Sequence, residues 1–130
     1  MISKCVLNLA AMLLAVGTCF GADYTKDTPA EVKKAIEQKK AILLDVREQS
    51  EWDEGHLQNA QLLPLSILKK DDSKQLTKEL PKDKVIYCHC RAGRRALQAA
   101  EILQKLGYDV RPLQQGYEAL LEAGFRKAGK

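Results

Sequence analysis

Lys84-Val-Ile-Tyr-Cys-His-Cys-Arg-Ala-Gly-Arg-Arg-Ala-Leu-Gln-Ala-Ala-Glu-Ile-Leu-Gln-Lys-Leu106 reads as a strand that runs straight into a helix. Val85, Ile86 and Tyr87 are β-branched or aromatic, and Pro81-Lys-Asp83 ahead of them supplies turn chemistry. The pattern predicts a short, fully buried strand. From Arg94 the period changes. Ala96, Ala99, Ala100, Leu103 and Leu106 recur at three- and four-residue spacing, Gln98, Glu101, Gln104 and Lys105 take the other face, and Gly107 is the stop signal. Cys90-Arg-Ala-Gly-Arg94 is the hinge between the two elements.

A helix start carries backbone N–H groups without intrahelical partners and a dipole that favours negative charge. A cysteine placed just before it sits where a thiolate is stabilised. Lowering an ordinary thiol from about 8.5 to roughly 7 takes only about 2 kcal/mol. The helix end and Arg91, Arg94 and Arg95 are the candidate sources, and Gly93 lets the backbone curl so that several amides face one atom. Cys90 is therefore the candidate nucleophile, with Arg91, Ala92, Gly93, Arg94 and Arg95 as its anion cradle.

Cys90-Arg-Ala-Gly-Arg-Arg95 resembles the active-site loop of rhodanese-like sulfurtransferases, Cys-x-x-Gly-x-Arg, set between a hydrophobic strand and a helix. Loop length separates that family from related phosphatases of the Cdc25 type and arsenate reductases, which place five residues between cysteine and arginine. Four lie between Cys90 and Arg95. Five lie between Cys88 and Arg94, but Cys88 is two residues deeper in the strand, with Tyr87 where the phosphatases have histidine. The sulfurtransferase resemblance is the better one.

A second block extends it. Asp45-Val-Arg47, Glu51-Trp-Asp-Glu-Gly-His-Leu57, Asn59-Ala60 and Leu63-Pro-Leu65 are similar to the family signature Asp-Val-Arg, Glu-Tyr/Phe, Gly-His-Ile, Gly-Ala, Pro-Leu, in the same order. Trp52, Leu57 and Asn59 are mild departures. The family also carries Gly-Gly near Gln115-Gly116 and a tryptophan in the last helix, where this chain has Leu120 and Leu121. These changes fall at the rim of the pocket. The resemblance implies a rhodanese-like α/β fold, a mostly parallel five-stranded sheet with helices on both faces, in a protein of the small periplasmic single-domain type.

The rest of the chain fits one domain over 23–130, preceded by a secretory signal over 1–22. Met1-Ile-Ser-Lys4 is a basic start, Val6 to Val16 is apolar except for Asn8, and Cys19-Phe-Gly-Ala22 puts small residues near a cleavage point. The run is shorter than the ~20 residues a membrane span needs, so no stable membrane insertion is expected after cleavage. A lipoprotein signal at Cys19 is the weaker rival, because Thr18 fits the lipobox poorly. A periplasmic or secreted location follows. Cleavage would remove Cys5 and Cys19, leaving Cys88 and Cys90, whose spacing on one strand face makes a bridge strained rather than the default. Cys88-His-Cys90 with only His56 elsewhere does not make a metal site. The formal net charge of +4 is too weak and too scattered to point to nucleic acid.

Thr28-Pro-Ala-Glu31 predicts a capped first helix with Val32, Ala35 and Ile36 inside. Ala41-Ile-Leu-Leu44 predicts a central parallel strand ending in Asp45-Val-Arg47, at the carboxyl edge where open α/β sheets bind ligands. Asp45 and Arg47 are supporting site residues. Asp45 either orients the cysteine loop, through a hydrogen bond or a pair with an arginine, or merely caps its strand, and Arg47 is expected to pair with Glu51 or Glu54. His56 is a structural histidine at the Gly55 turn, and Trp52 is packing. Asp71 to Leu80 predicts a polar helix tucked in by Leu76 and Leu80, Tyr108 to Leu113 a last short strand, and Tyr117 to Ala123 a helix closed by Gly124.

By the resemblance, Cys90 takes a sulfane sulfur from a small anionic donor such as thiosulfate and passes it to cyanide or a thiol, with no cofactor and no metal. A thiol protein is a further possible partner. Arg91 and Arg94 would attract the donor, and Arg95 would brace the loop. Two alternatives stay open: a non-turnover persulfide carrier or thiol-handling module, and a phosphatase or arsenate reductase. A Cys88–Cys90 redox switch is a third.

Overall fold

The computed structural model describes residues 22–70 and 73–129. The signal-peptide reading therefore lies outside the described residues except at Ala22. The elements are α1 (Pro29–Glu37), β1 (Ala41–Asp45), α2 (Gln49–Glu54), β2 (Ala60–Leu62), α3 (Leu65–Leu68), α4 (Ser73–Leu76), β3 (Val85–His89), α5 (Arg94–Lys105), β4 (Val110–Pro112) and α6 (Tyr117–Glu122). No helix among the described residues is long and apolar enough to cross a membrane.

Four strands form one sheet in the order β2-β1-β3-β4, every neighbouring pair parallel. Side chains alternate across it with period two. Leu44, Val46, Ile86, Cys88 and Cys90 enter one apolar cluster, with Leu65 and Leu68 of α3 and Ala96, Ala99, Ala100 and Leu103 of α5. Ala41, Leu43 and Tyr87 enter the other, with Val32 of α1 and Tyr117 and Leu120 of α6. Helices thus cover both faces, as a parallel sheet requires. The alanine face of α5 is wholly buried, which seats the helix close to the strands.

The sequence reading anticipates five strands; the described residues hold four. The segment before α1 docks at the sheet edge by one backbone bond, Thr25 N–H to Pro112 O at 2.9 Å, and builds no ladder. Leu113 N–H bonds Cys88 O, so the neighbouring Pro112 carbonyl faces away from β3. Proline tolerates that edge because its missing N–H would have pointed outward too.

Local signals are honoured closely. Thr28 N–H donates to the Glu31 carboxylate at 2.9 Å and the Thr28 hydroxyl accepts from Glu31 N–H at 3.2 Å, the reciprocal cap expected of that sequence. Asn59, standing where the resembling family has glycine, has φ +66°. Asparagine is among the few residues that enter the left-handed region readily. The polar helix after Lys70 is corrected. Among the described residues of that stretch the helix is Ser73–Leu76, and Leu76 is 43 % exposed rather than tucked in. Thr77 takes the inward position beside Leu80, its carbonyl accepting from the Tyr108 hydroxyl at 2.6 Å.

Candidate active site

β3 delivers Cys90 to the carboxyl edge of the sheet, next to the end of β1, where Asp45 pairs in register with His89. The chain then turns through Arg91 and Ala92 to Gly93, whose φ of +99° only glycine adopts without strain. Through this turn the Gly93 N–H faces back toward the Cys90 sulfur, 3.0 Å away, and the positive φ then directs the chain into the helix that follows. Among the described residues it is the amide that donates to this thiol. Gly93, one of the residues 91–95 expected to form the cradle, supplies that amide immediately before α5 begins at Arg94.

Other contacts hold the loop from outside. Tyr117 N–H donates to Cys90 O at 2.9 Å, and Val46 N–H donates to His89 O at 3.0 Å. Gly116 lies so close beneath that a Cβ there would fall 1.7 Å from Arg91 O. Arg95 forks onto Glu51, with Nη2 to Oε2 at 3.0 Å and Nη1 on Oε1. The Arg95 hydrogen bonds hold the Glu51 carboxyl down at about 2. Arg95 is thus tied to α2 through Glu51, while Arg91 and Arg94 are exposed.

Asp45 and Arg47 form a closed unit. Arg47 Nε donates to Oδ1 at 3.0 Å and Nη2 to Oδ2 at 2.8 Å, and Arg47 N–H adds a third bond to Oδ1 at 3.0 Å. The expected pairing of Arg47 with Glu51 or Glu54 is corrected. Asp45 is the partner because both charges are buried, and a buried cation needs a carboxylate in contact. Arg47 also donates from Nη2 to Gly55 O at 2.8 Å and lies 4.3 Å above the Tyr117 ring. His56 stacks on Trp52 at 3.6 Å and bonds its carbonyl through Nδ1 at 3.0 Å, the structural role anticipated.

The two cysteines are unlike. Cys88 is sealed in the core with its thiol directed to Ala96 O at 3.4 Å. Burial, and then the neighbouring Cys90, push the Cys88 thiol far up, so it stays protonated. Both cysteines are free. His89 points to the opposite face, toward Asp45, so the Cys-His-Cys run is split by the pleat. Its Nδ1 meets Cys90 O at 3.2 Å; a carbonyl only accepts, so that nitrogen carries the proton. Nε2 is left buried without a partner, 3.8 Å from Asp45 Oδ2. Burial pushes the His89 pKa down despite Asp45, and the ring is neutral.

Cys90 itself is 1 % exposed. A cavity of about 350 Å³ bordered by Arg47, Glu51, Glu54, Arg91, Tyr117 and Lys127 meets the cysteine loop at Arg91, and Cys90 itself does not line it. Leu121 reaches its rim and Leu120 is core, which divides the pair standing near the family's tryptophan. Gly116, Tyr117 and His89 were not foreseen as site residues. Gln114-Gln-Gly116 is legible as a turn, but nothing local says which loop it meets.

Residues 28–123 match the Rhodanese-like domain family. The chain belongs to that family. It is 33 % identical over 94 residues to MoeZ of Mycobacterium tuberculosis, a probable adenylyltransferase/sulfurtransferase, covering 71 % of this chain and 23 % of MoeZ. It is 28 % identical over 82 residues to a sulfurtransferase of Allochromatium vinosum, covering 63 % and 72 %. Among solved structures, the human single domain sulfurtransferase TSTD1 superposes with a TM-score of 0.61 at 27 % identity, covering 74 % of this chain and 97 % of that one. The chain spans about a quarter of the length of MoeZ.

Proposed function

We propose that this rhodanese-like protein is a sulfurtransferase in which Cys90 carries a persulfide. The observation behind it is the Gly93 N–H aimed at the Cys90 sulfur across 3.0 Å, at the junction of β3 and α5. A donor amide there favours negative charge on sulfur, whether thiolate or terminal persulfide.

The cycle has two displacements. Cys90 thiolate attacks the outer sulfur of thiosulfate; the new S–S bond forms, the old one breaks, and sulfite leaves with the electron pair. An acceptor, cyanide or a thiolate, then attacks the terminal sulfur. The Cys90 thiolate departs, and thiocyanate or a new persulfide is released. Neither step needs a general base once the thiol is ionised. Arg91 and Arg94, exposed beside the loop, would draw the anionic donor in. We also propose export, on the pattern of residues 1–22, which N-terminal sequencing of the mature protein tests.

Incubation with thiosulfate followed by intact mass measurement decides the chemistry. Wild type and Cys88→Ala should each gain one sulfur, and Cys90→Ala none. No gain in wild type overturns the proposal. The 1 % exposure of Cys90 favours a second reading, a persulfide carrier with negligible turnover. Loading without steady-state thiocyanate production would identify it.

A further inference from the structure

Any reagent of Cys90 must reach a sulfur that is 1 % exposed. Most of what packs on its loop is firmly held: Gly116 abuts Arg91, Tyr117 holds the Cys90 carbonyl, and Glu51 forks onto Arg95. The segment Asp23–Asp27 is held differently. It has no helix or strand of its own. Tyr24 stands against the loop, where a Cβ on Gly93 would lie 2.8 Å from its hydroxyl oxygen. Thr25 crosses the edge of β4 through its one bond to Pro112 O. Asp27, beyond the edge, accepts from the Tyr87 hydroxyl at 2.6 Å and from Arg111 at 3.1 Å. The segment runs from the cysteine face around the sheet edge to a two-donor anchor on the far side.

We infer that Asp23–Asp27 is a strap controlling access to Cys90, with Tyr24 setting the size of reagent admitted and Asp27 as its latch. The inference rests on the nucleophilic role proposed for Cys90. A short segment tied by one backbone bond and one carboxylate opens at far lower free energy than the sheet or α5. Small reagents need only brief opening; bulky ones need Tyr24 displaced from Gly93.

Alkylation tests this without any sulfur donor. Rates at Cys90, mapped by peptide mass, are measured with iodoacetamide and with fluorescein maleimide. Tyr24→Ala and Asp27→Ala should each raise the maleimide rate about tenfold, with a smaller gain for iodoacetamide, while Tyr24→Phe stays at the wild-type rate. Core-buried Cys88 is the internal control and should remain unlabelled. A Tyr24→Ala maleimide rate within about twofold of wild type overturns the strap, as does labelling of Cys88 in step with Cys90, which reports general loosening. Equal acceleration in Tyr24→Phe overturns size selection, and an unchanged Asp27→Ala overturns the latch. Rates that move as stated while thiosulfate leaves the mass unchanged remove the sulfurtransferase proposal and leave the strap.

Discussion

The Cα of Gly116 faces the carbonyl of Arg91 so closely that any side chain there would overlap it, the nearest approach being 1.7 Å. Gly116 has an ordinary φ of −85°, so the requirement is space rather than backbone conformation. Gly116→Ala must push the Arg91 peptide away and carry the Gly93 amide with it. Overpacking of this kind costs roughly 2–3 kcal/mol. A shift of about 1 Å at reacting atoms costs on the order of 100-fold in rate. Urea unfolding and the rate of sulfur loading from thiosulfate measure the two effects, and loading at the wild-type rate would show that the loop does not need this floor.

The Asp45–Arg47 pair predicts an asymmetry. Asp45→Ala strands a buried guanidinium and should cost roughly 3–5 kcal/mol. Replacing both members, as in Asp45→Leu with Arg47→Met, removes the charge along with its partner and should cost less than the single change. Equilibrium denaturation of the three proteins checks the order; a double variant less stable than Asp45→Ala would contradict the account.

Glu51 is held at about 2 in the fold, against about 4.3 for a free glutamate. Its folded pKa is depressed, so the stability from the Arg95 fork is fully present above about pH 4.3 and drains away as pH falls toward about 2. The pair is partly exposed, and solvent screening limits it to about 1 kcal/mol. Glu51→Gln should flatten the acid limb of a stability profile in that window, with a smaller difference in high salt. Superimposable acid limbs would show the fork contributes nothing there.

His89 works in a higher range. Burial keeps it neutral in the fold, whereas in the unfolded chain it takes up a proton near about pH 6.5. The unfolded state then binds more protons, so stability falls as pH is lowered through that value. His89→Asn removes the titration and should weaken the dependence of the urea midpoint between about pH 7.5 and 5.5. An unchanged slope would place the acid sensitivity elsewhere.

Much of this was readable along the chain. The alternation of Val85 to Cys90, the alanine stripe from Ala96 to Leu103, the Thr28–Glu31 box and the glycine after Cys90 are properties of residues a few positions apart. Backbone geometry converts such spacings directly into strands, helices and caps. They place the candidate thiol at the junction of β3 and α5, whereas the bracing role expected of Arg95 is implied by the family resemblance alone.

The pairings were another matter. Arg47 has Asp45, Glu51 and Glu54 all nearby in sequence, and burial at the end of β1 decided for Asp45. Glu51 was thereby left to Arg95, 44 residues away. Leu76, the last residue of α4, faces solvent, and Tyr24 and Gly116 meet the cysteine loop only once the sheet edge and α6 are in place. Chain-local periodicity fixes which face a side chain takes, but the choice among several charges or several loops is settled by desolvation and steric fit between segments remote in sequence.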